Sequence, residues 1–250
     1  MDENGKTLLS VDQLHKRFDG RPVVRGVSFQ VRPGEIVGLL GRNGAGKTTT
    51  FRMTVGMIDP DSGQVTFNGE DVTKLPMYRR AQRGMGYLSQ EPSVFQRLSV
   101  EDNLMAIYET IRDKSRMERL EGTHKLIEQF GLSKQRKQHA RTLSGGERRK
   151  LEIARALVTE PLLILLDEPF SGVDPKAVED LQREILNLKE KNIAVLLTDH
   201  NVRETLRVTD RSYIINDGEM LAEGPPKDIV RNPQVRKTYL GSSFKAEDFD

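Results

Sequence analysis

The amino-acid sequence predicts an α/β fold, with a helical subdomain inserted into an α/β core. Three observations predict this. Short strand-like segments dominate roughly the first 100 residues and return near residues 162–198. Between them, from about residue 99 to 159, apolar residues recur at helical spacing. A glycine-rich turn also joins an apolar strand to a helix, which is how α/β proteins commonly bind phosphate.

Length and composition limit the alternatives. The chain has 250 residues, which suits one domain or one domain with an inserted subdomain. Its 39 Lys and Arg and 37 Asp and Glu give a net charge of +2, which excludes a dominantly basic nucleic-acid binder and an acidic disordered chain. It has no cysteine, so disulfides, thiolate metal sites and cysteine nucleophiles are excluded.

No membrane-spanning or secretory segment is predicted. The longest aliphatic run, residues 162–166, has five residues, far fewer than the ~20 that a membrane helix needs. The N-terminus MDENGKTLLS lacks the basic and apolar regions of a signal peptide. We therefore expect a chain that works at a membrane only if other chains hold it there.

Strand signals come first along the chain. Residues 23–31 alternate loosely and end at a Pro-Gly turn, and residues 35–40 are apolar and lead into the glycine-rich turn. Residues 63–67 form another strand pattern closed by Asn68-Gly69, a hairpin signal. Residues 84–88 give a weaker strand signal.

Helix signals occupy the middle of the chain. Ser99, followed by two acidic residues, resembles a helix N-terminus, and a second helical spacing continues until Gly131. We interpret the basic run that follows as a solvated helical face. That run contains Lys134, Arg136, Lys137 and Arg141.

The last third returns to alternating strands and helices. Strand patterns at residues 162–166 and 193–198 flank a helix that begins at Asp174-Pro175, an N-cap residue followed by proline at the first helical position. Residues 213–221 predict a hairpin that turns at Asp217-Gly218.

The glycine-rich turn is the strongest chemical signal. Residues 41–48 read GRNGAGKT and match G-x-x-x-x-G-K-[ST] between a strand and a helix. Glycines let backbone N–H groups point at one phosphate chain, the lysine places its charge on the β- and γ-phosphates, and the threonine hydroxyl binds Mg²⁺. The predicted phosphate-binding residues are Arg42, Asn43, Gly44, Ala45, Gly46, Lys47, Thr48 and Thr49.

Two carboxylates follow the strand at residues 162–166. Asp167 would lie at the carboxyl edge of the sheet beside the phosphate loop, where it can hold Mg²⁺ directly or through water. Glu168 would accept a proton from, or align, the water that attacks the γ-phosphate. A charged pair at a strand end is common in isolation, so this prediction depends on the phosphate loop.

A second helix N-terminus resembles an anion site. Ser144 and Glu147 have capping-box spacing, and Gly145 and Gly146 expose N–H groups between them. Alone, this would be an ordinary helix start. Together with the phosphate loop it suggests a dimer in which each ATP is held by both copies.

These motifs together resemble those of ATP-binding-cassette (ABC) ATPases over residues 7–240. Residues 143–147 read LSGGE, the signature of that family, 20 residues before Asp167. The resemblance implies a mixed sheet with flanking helices and an N-terminal antiparallel β part. It also implies ATP as the bound nucleotide, with Mg²⁺.

Further roles are implied by the resemblance alone. Gln90 matches the glutamine that senses Mg²⁺ and the attacking water and faces the membrane partner. Asp174, in the segment 171–174, matches a loop that crosses the dimer interface. His200 matches the switch histidine at the γ-phosphate, and Phe18 stands where an aromatic stacks on adenine. Catalytic residues are therefore predicted to be Glu168, His200 and Gln90, and metal ligands Thr48, Gln90 and Asp167.

The domain boundaries follow from the same resemblance. Residues 1–241 are expected to form a single ABC ATPase domain. Its core spans about residues 7–90 and 160–241, and its helical subdomain spans about 91–159. Residues 242–250 form an acidic C-terminal tail that is longer than the family pattern predicts.

Among cassettes, a transporter subunit fits best. DNA-repair cassettes carry a long inserted coiled coil and translation factors carry two cassettes, and this sequence shows neither. Its finer resemblance is to the ATPase subunits of lipopolysaccharide-export transporters, most of all in residues 200–206, HNVRETL. The alternatives are the ATPase of a branched-chain amino-acid importer and a non-transport cassette.

The resemblance also implies partners and place. The chain would form an ATP-dependent homodimer on the cytoplasmic face of the inner membrane and would contact neither nucleic acid nor cargo. Two transmembrane subunits would dock near Phe95, in a groove that includes Pro92, Val94 and Leu98. The alternative for Phe95 is an ordinary core residue.

Overall fold

The structure, a computed structural model, describes residues 7–241, 244 and 249. These residues form a four-stranded antiparallel sheet, a six-stranded mixed sheet and helices that flank them. The strands are β1 Leu9–Phe18, β2 Arg21–Val31, β3 Ile36–Gly41, β4 Ser62–Phe67, β5 Glu70–Asp71, β6 Met85–Leu88, β7 Leu163–Asp167, β8 Ala194–Thr198, β9 Arg211–Asn216 and β10 Glu219–Gly224. The helices are α1 Lys47–Val55, α2 Met77–Gln82, α3 Val100–Tyr108, α4 Arg116–Gln129, α5 Gly145–Leu157, α6 Pro175–Glu190, α7 Val202–Leu206, α8 Pro226–Arg231 and α9 Pro233–Val235.

The mixed sheet carries the functional edge of the molecule. Its strand order is β10-β9-β3-β8-β7-β6, and every neighbouring pair is parallel except β9 with β10. All residues of β3, β7 and β8 are buried, as expected of parallel strands covered on both faces. Because parallel strands share one direction, the residues that follow β3, β6, β7 and β8 all emerge at the same edge.

The antiparallel sheet has the order β2-β1-β4-β5, which confirms the predicted mixed sheet with an antiparallel β part. The strand β1 was not identified individually from the sequence. Its register with β2 shifts between Val11 and Leu14, and Gln13 in that gap has φ 47°. The irregularity breaks the alternation by which a strand is recognised in a sequence.

Helices α3, α4 and α5 occupy residues 100–157, between β6 and β7 in the chain. Their apolar residues share one core with the face of β7 and β8 that α6 also covers. A second core joins the antiparallel sheet, α1 and the opposite face of β3, β7 and β8. A smaller cluster packs α8 and α9 against Leu40 and Ile214.

The predicted helix starts are confirmed. Ser99 caps α3 by accepting a hydrogen bond from the Asp102 backbone N–H, and Asp174 caps α6 with proline at the first helical position. Ser144 and Glu147 form a complete capping box at α5. These interactions join residues three positions apart, so the sequence alone reveals them.

The interpretation of the basic run as a solvated helical face is correct for its exposure and wrong for its helix: Lys134, Lys137 and Arg141 are exposed, but the run forms no α-helix. The segment forms two short 3₁₀ turns, Ser133–Gln135 and Ala140–Thr142, instead of an α-helix. Arg136 and Lys137 both form ion pairs with Glu101, whose side chain is only 8% exposed. These bonds hold the pKa of the Glu101 carboxyl near 2, below its usual range. Arg136 and Lys137 therefore neutralise a buried charge on α3.

Within residues 7–241, 244 and 249, no helix has both the length and the apolar character needed to cross a membrane.

Candidate functional site

The phosphate loop connects the buried end of β3 to α1. All three of its glycines have positive φ, and two of them, Gly41 at 153° and Gly46 at 102°, are also closely packed. A Cβ on Gly41 would lie 2.1 Å from the backbone oxygen of Ile215, and one on Gly46 would lie 2.8 Å from that of Val23. Neither position accepts a side chain, because neighbouring strands press against the loop.

Lys47 is buried at the start of α1. Its Nζ donates to the backbone oxygens of Gly41 at 2.7 Å and Arg42 at 3.0 Å, across the curve of the loop. Burial lowers the pKa of Lys47, and the carboxylates of Glu168 and Asp167 oppose that shift. The Lys47 amine is therefore held where a phosphate chain would follow the loop.

A cavity of about 500 Å³ opens over this loop. The predicted site residues that line it are Asn43, Gly44, Gly46, Lys47, Thr48, Thr49, Gln90, Glu168 and His200. Val23 also lines the cavity and was not predicted. Ser171 lines it too, although the segment 171–174 was expected only at the dimer interface. Of the other loop residues, Arg42 is exposed to solvent, whereas Ala45 is buried and accepts a hydrogen bond from the Gly218 backbone N–H at 3.0 Å.

The two carboxylates after β7 have different environments. Asp167 is buried, and burial, followed by the nearby charge of Glu168, raises its pKa. The Tyr87 hydroxyl donates to Asp167 Oδ2 at 3.3 Å. Glu168 has φ 49°, a strained value for a residue with a side chain, and its backbone N–H donates to the Thr198 oxygen at 2.8 Å. This turn directs the Glu168 carboxylate into the cavity.

Three predicted residues from three strand ends converge on one atom. Gln90 Nε2 donates to Glu168 Oε2 at 2.7 Å, and His200 Nδ1 lies 3.3 Å from the same oxygen. Gln90 and His200 are 78 and 32 positions from Glu168 in the chain, and the parallel sheet brings the three residues together. A carboxylate held by an amide and an imidazole in a polar cavity can receive a proton from a bound water.

Asp199 supports this cluster, and the sequence did not single it out. Its buried carboxylate accepts hydrogen bonds from the backbone N–H groups of Phe170 at 2.9 Å and Asn201 at 2.8 Å. Burial is the main cause of its raised pKa. Asp199 thereby ties the segment after β7 to the segment that carries His200. Its position beside His200 was the only sequence signal.

The second helix N-terminus lies outside the cavity. Ser144 Oγ donates to Glu147 Oε2 at 2.9 Å and accepts from the Glu147 backbone N–H at 3.3 Å. A Cβ on Gly146 would lie 2.6 Å from the Ala177 Cβ, so α5 and α6 are in close contact here. Asp174 accepts from the Ala177 N–H at 3.1 Å, which places Asp174, Gly145 and Gly146 in one region.

Phe18 ends β1 and is half-exposed. The Lys16 ammonium lies 5.7 Å from its ring centroid, and Phe18 does not line the 500 Å³ cavity. Its ring is accessible on the surface of the antiparallel sheet.

Phe95 is also accessible, at 45% exposed, which excludes the fully buried core alternative. The Arg155 guanidinium stacks 4.5 Å from its ring centroid. Asn103 holds the Phe95 backbone on both sides, accepting from its N–H at 2.8 Å and donating to its oxygen at 3.0 Å. Val94 is buried beside it. The ring is therefore presented to solvent from a fixed backbone.

Comparison with known proteins gives consistent results. The profile described as "ABC transporter" matches residues 24–171, and one described as "Branched-chain amino acid ATP-binding cassette transporter" matches residues 219–245. The lipopolysaccharide export system ATP-binding protein LptB of Haemophilus influenzae is 50% identical over 96% of this chain and 99% of its own length. The LptB protein of Escherichia coli K12 is 49% identical over 95% and 98%, respectively.

A solved structure extends the agreement to the fold. The crystal structure of the ADP conformation of MJ1267, an ATP-binding cassette of an ABC transporter, aligns with TM-score 0.84 at 30% identity. That alignment covers 95% of this chain and 100% of MJ1267. With the glycine-rich loop, the signature helix and the strand-end carboxylates in place, the chain belongs to the ATP-binding subunits of the ABC transporter family and is an ATPase.

Proposed function

We propose that this chain is the ATP-hydrolysing motor subunit of a membrane ABC transporter that extracts lipopolysaccharide from the inner membrane for export. The observation that carries the hydrolytic part is the convergence of Gln90 and His200 on Glu168 Oε2 at the phosphate cavity. The cargo rests on the relatives: the two LptB proteins share about half of their residues with this chain along nearly its whole length.

In this proposal the loop binds the triphosphate. Backbone N–H groups of residues 42–48 and the positive end of α1 face the β- and γ-phosphates. Lys47 Nζ, which contacts the Gly41 and Arg42 carbonyls, exchanges them for phosphate oxygens. Phe18 stacks on the adenine from the accessible surface of β1.

Glu168 then acts on the attacking water. It accepts the water proton as the water oxygen bonds to the γ-phosphorus and the bond from that phosphorus to the β,γ-bridging oxygen breaks, which releases ADP and phosphate. Gln90 and His200 both contact Oε2, so both must release or share that atom for a water to reach it. His200 then turns its imidazole toward the γ-phosphate, for which its half-exposed position leaves room.

The site also suits Mg²⁺. Asp167 is a buried carboxylate whose pKa is raised by burial and by Glu168, and a divalent cation would relieve both effects. Asp167 and the Thr48 hydroxyl are hard oxygen ligands, and Gln90 donates through Nε2, which leaves its Oε1 for a cation. When bound, Mg²⁺ would neutralise charge on the β- and γ-phosphates.

A second copy of the chain completes the nucleotide site in this proposal. Ser144, Gly145, Gly146 and Asp174 do not line the cavity of their own chain; Ser144, Gly145 and Asp174 are exposed, whereas Gly146 is buried against α6. We assign them to the ATP of the partner, whose γ-phosphate would meet the N–H groups of α5. ATP then acts as the bridge that closes a homodimer.

Docking of two transmembrane subunits is assigned to the surface around Phe95. Side chains on one face of α5 connect this surface to the nucleotide site through hydrogen bonds. Arg149 donates to the backbone oxygens of Ser89 at 3.0 Å and Asp167 at 3.1 Å. Further along the same face, Glu152 accepts from the Ser93 N–H at 2.8 Å, and Arg155 donates to the Ser93 oxygen and stacks on Phe95. A movement of α5, the helix that begins within the LSGGE signature, would therefore be transmitted through these contacts to the Phe95 ring.

The branched-chain profile at residues 219–245 does not outweigh the whole-chain relatives, so lipopolysaccharide is the favoured cargo. The test is to purify this chain in detergent from cells that produce it naturally and to identify the membrane chains that accompany it. We expect the transmembrane subunits of a lipopolysaccharide exporter. Recovery of amino-acid importer subunits in their place would contradict the cargo and leave the ATPase assignment intact.

A further inference from the structure

Arg80, on α2, is the largest fully buried side chain among the described residues, with 1% of its surface exposed. Such burial normally requires a carboxylate partner. Arg80 instead donates to four backbone oxygens. Its Nε reaches Leu75 at 2.8 Å, its Nη1 reaches Met53 at 2.8 Å and Thr54 at 2.6 Å, and its Nη2 reaches Thr73 at 2.8 Å.

Two of those oxygens belong to the last turn of α1, the helix whose first turn forms the phosphate site. The last carbonyls of a helix lack partners within it and carry its negative dipole end. Arg80 satisfies them with a cation. Burial lowers the pKa of Arg80 to about 10, so the guanidinium remains charged near neutral pH.

A buried row of hydrogen bonds links the phosphate loop to Arg80. Thr50 Oγ1 donates to the Gly46 oxygen at 2.9 Å, and Thr54 Oγ1 donates to the Thr50 oxygen at 2.8 Å. Both threonines are fully buried. The row ends at the Thr54 oxygen, where Arg80 binds. One face of α1 is thus connected from Gly46 to the guanidinium.

Arg80 also contacts the segment before α2, from which the chain continues to Gln90. Arg80 holds Thr73 and Leu75, which precede α2, and α2 continues into β6 and then Gln90. Gly56, the C-cap of α1, makes this arrangement possible: a Cβ there would lie 2.6 Å from Arg80 Nε and 2.7 Å from the Leu75 oxygen. A glycine is therefore required both by φ 80° and by the approach of the arginine.

We infer that Arg80 is a positioning residue for ATP hydrolysis, which sets the phosphate-binding end of α1 relative to the strand that delivers Gln90 to Glu168. Arg80 does not line the phosphate cavity, so it acts through α1 and β6 and not on the reacting atoms. Because ATP affinity depends mainly on the loop itself, whereas turnover depends on how the loop faces Gln90 and Glu168, loss of this alignment should lower kcat more than it changes KM. The inference rests on the proposed hydrolytic site.

The test measures Mg²⁺-dependent ATP turnover of three full-length variants and the parent well below their melting temperatures. Arg80→Lys keeps the charge but loses the planar set of donors. Gly56→Ala keeps the arginine and displaces it. Gly131→Ala is the matched control, since Gly131 follows α4 with φ 64° and has no heavy atom within 4 Å of an added Cβ.

We expect Arg80→Lys and Gly56→Ala to lower kcat about tenfold with KM within about threefold of the parent. Gly131→Ala should keep kcat within about twofold. Equal kcat losses in Gly56→Ala and Gly131→Ala, or an Arg80→Lys kcat within twofold of the parent, would overturn the inference. Failure of both Arg80→Lys and Gly56→Ala to fold would overturn it too, because Arg80 would then serve stability alone. Absence of turnover in the parent would instead contradict the proposed hydrolytic site.

Discussion

Replacing Phe95 with alanine distinguishes a docking residue from a core residue by where the loss occurs. A fully buried phenylalanine cut to alanine costs about 3–5 kcal/mol of unfolding free energy. Phe95 is 45% exposed, so roughly half of its ring leaves no closed cavity when removed. We therefore expect a loss of about 1–2 kcal/mol, including the contact with Arg155.

That loss corresponds to a small change in melting temperature. For a chain of this size, about 1 kcal/mol shifts Tm by roughly 2–4 °C, so Phe95→Ala should melt about 2–8 °C below the parent. Assembly should suffer more. An aromatic hot spot contributes about 2 kcal/mol or more to binding, which is about a 30-fold loss of affinity for the membrane subunits.

Two control variants bracket this result. Phe130→Ala removes a ring that is 1% exposed in the same helical region and should lower Tm by about 6–20 °C. Met117→Ala removes an exposed apolar side chain on α4 and should change neither Tm nor assembly. The assays are thermal melting, ATP binding and co-purification of membrane chains in detergent. If Phe95→Ala melts as low as Phe130→Ala and still assembles fully, the docking assignment is refuted.

Three further predictions follow from the site and from the buried ion pairs. Glu168→Gln keeps the shape of the side chain but removes its charge. The variant should bind ATP, hydrolyse it about 10²–10⁴ times more slowly and accumulate as a dimer. Turnover near that of the parent would contradict the role of Glu168. A Lys47→Ala chain mixed with a Ser144→Arg chain should regain part of its ATPase activity, because one composite site then carries both lesions and the other none. A nucleotide crosslink confined to a single chain would count against the shared site. Glu101→Gln should lose about 1–3 kcal/mol of stability at neutral pH. Because the folded pKa of Glu101 is near 2, the parent's advantage is present above about pH 4.5 and should shrink as pH falls toward 2, measured as Tm against pH.

Much of the site was predictable because its signals are local. The phosphate loop needs glycines, a lysine and a threonine within eight positions, and the capping boxes and Asp174-Pro175 act over three or four. Each of these signals comes from residues that act together within a few positions of the chain. The family resemblance added Gln90 and His200, which spacing alone would not have joined to Glu168.

Other features were not predictable, since their partners are distant in sequence. Arg136 and Lys137 of the basic run pair with Glu101, about 35 positions earlier, so the sequence did not reveal this contact. Asp199 acts on Phe170, and Tyr87 on Asp167, through neighbouring strands. The strand β1 was missed because its bulge breaks the alternation of apolar residues.

The sequence by itself determined the strand-to-helix phosphate loop, the starts of α3, α5 and α6 and the insertion of a helical stretch between two parts that contain strands, because backbone sterics and hydrogen bonds between near neighbours suffice for them. Only the tertiary structure decided that Gln90, Glu168 and His200 share one oxygen, that Phe95 faces solvent, and that Arg80 lies beneath the end of α1. Those arrangements depend on the parallel order of β6, β7, β8 and β3, which places segments far apart in the chain at one edge of the sheet. Distant strands pair in this order because the pairing buries both faces of the sheet at once. A short segment of sequence does not specify which distant strand it will pair with.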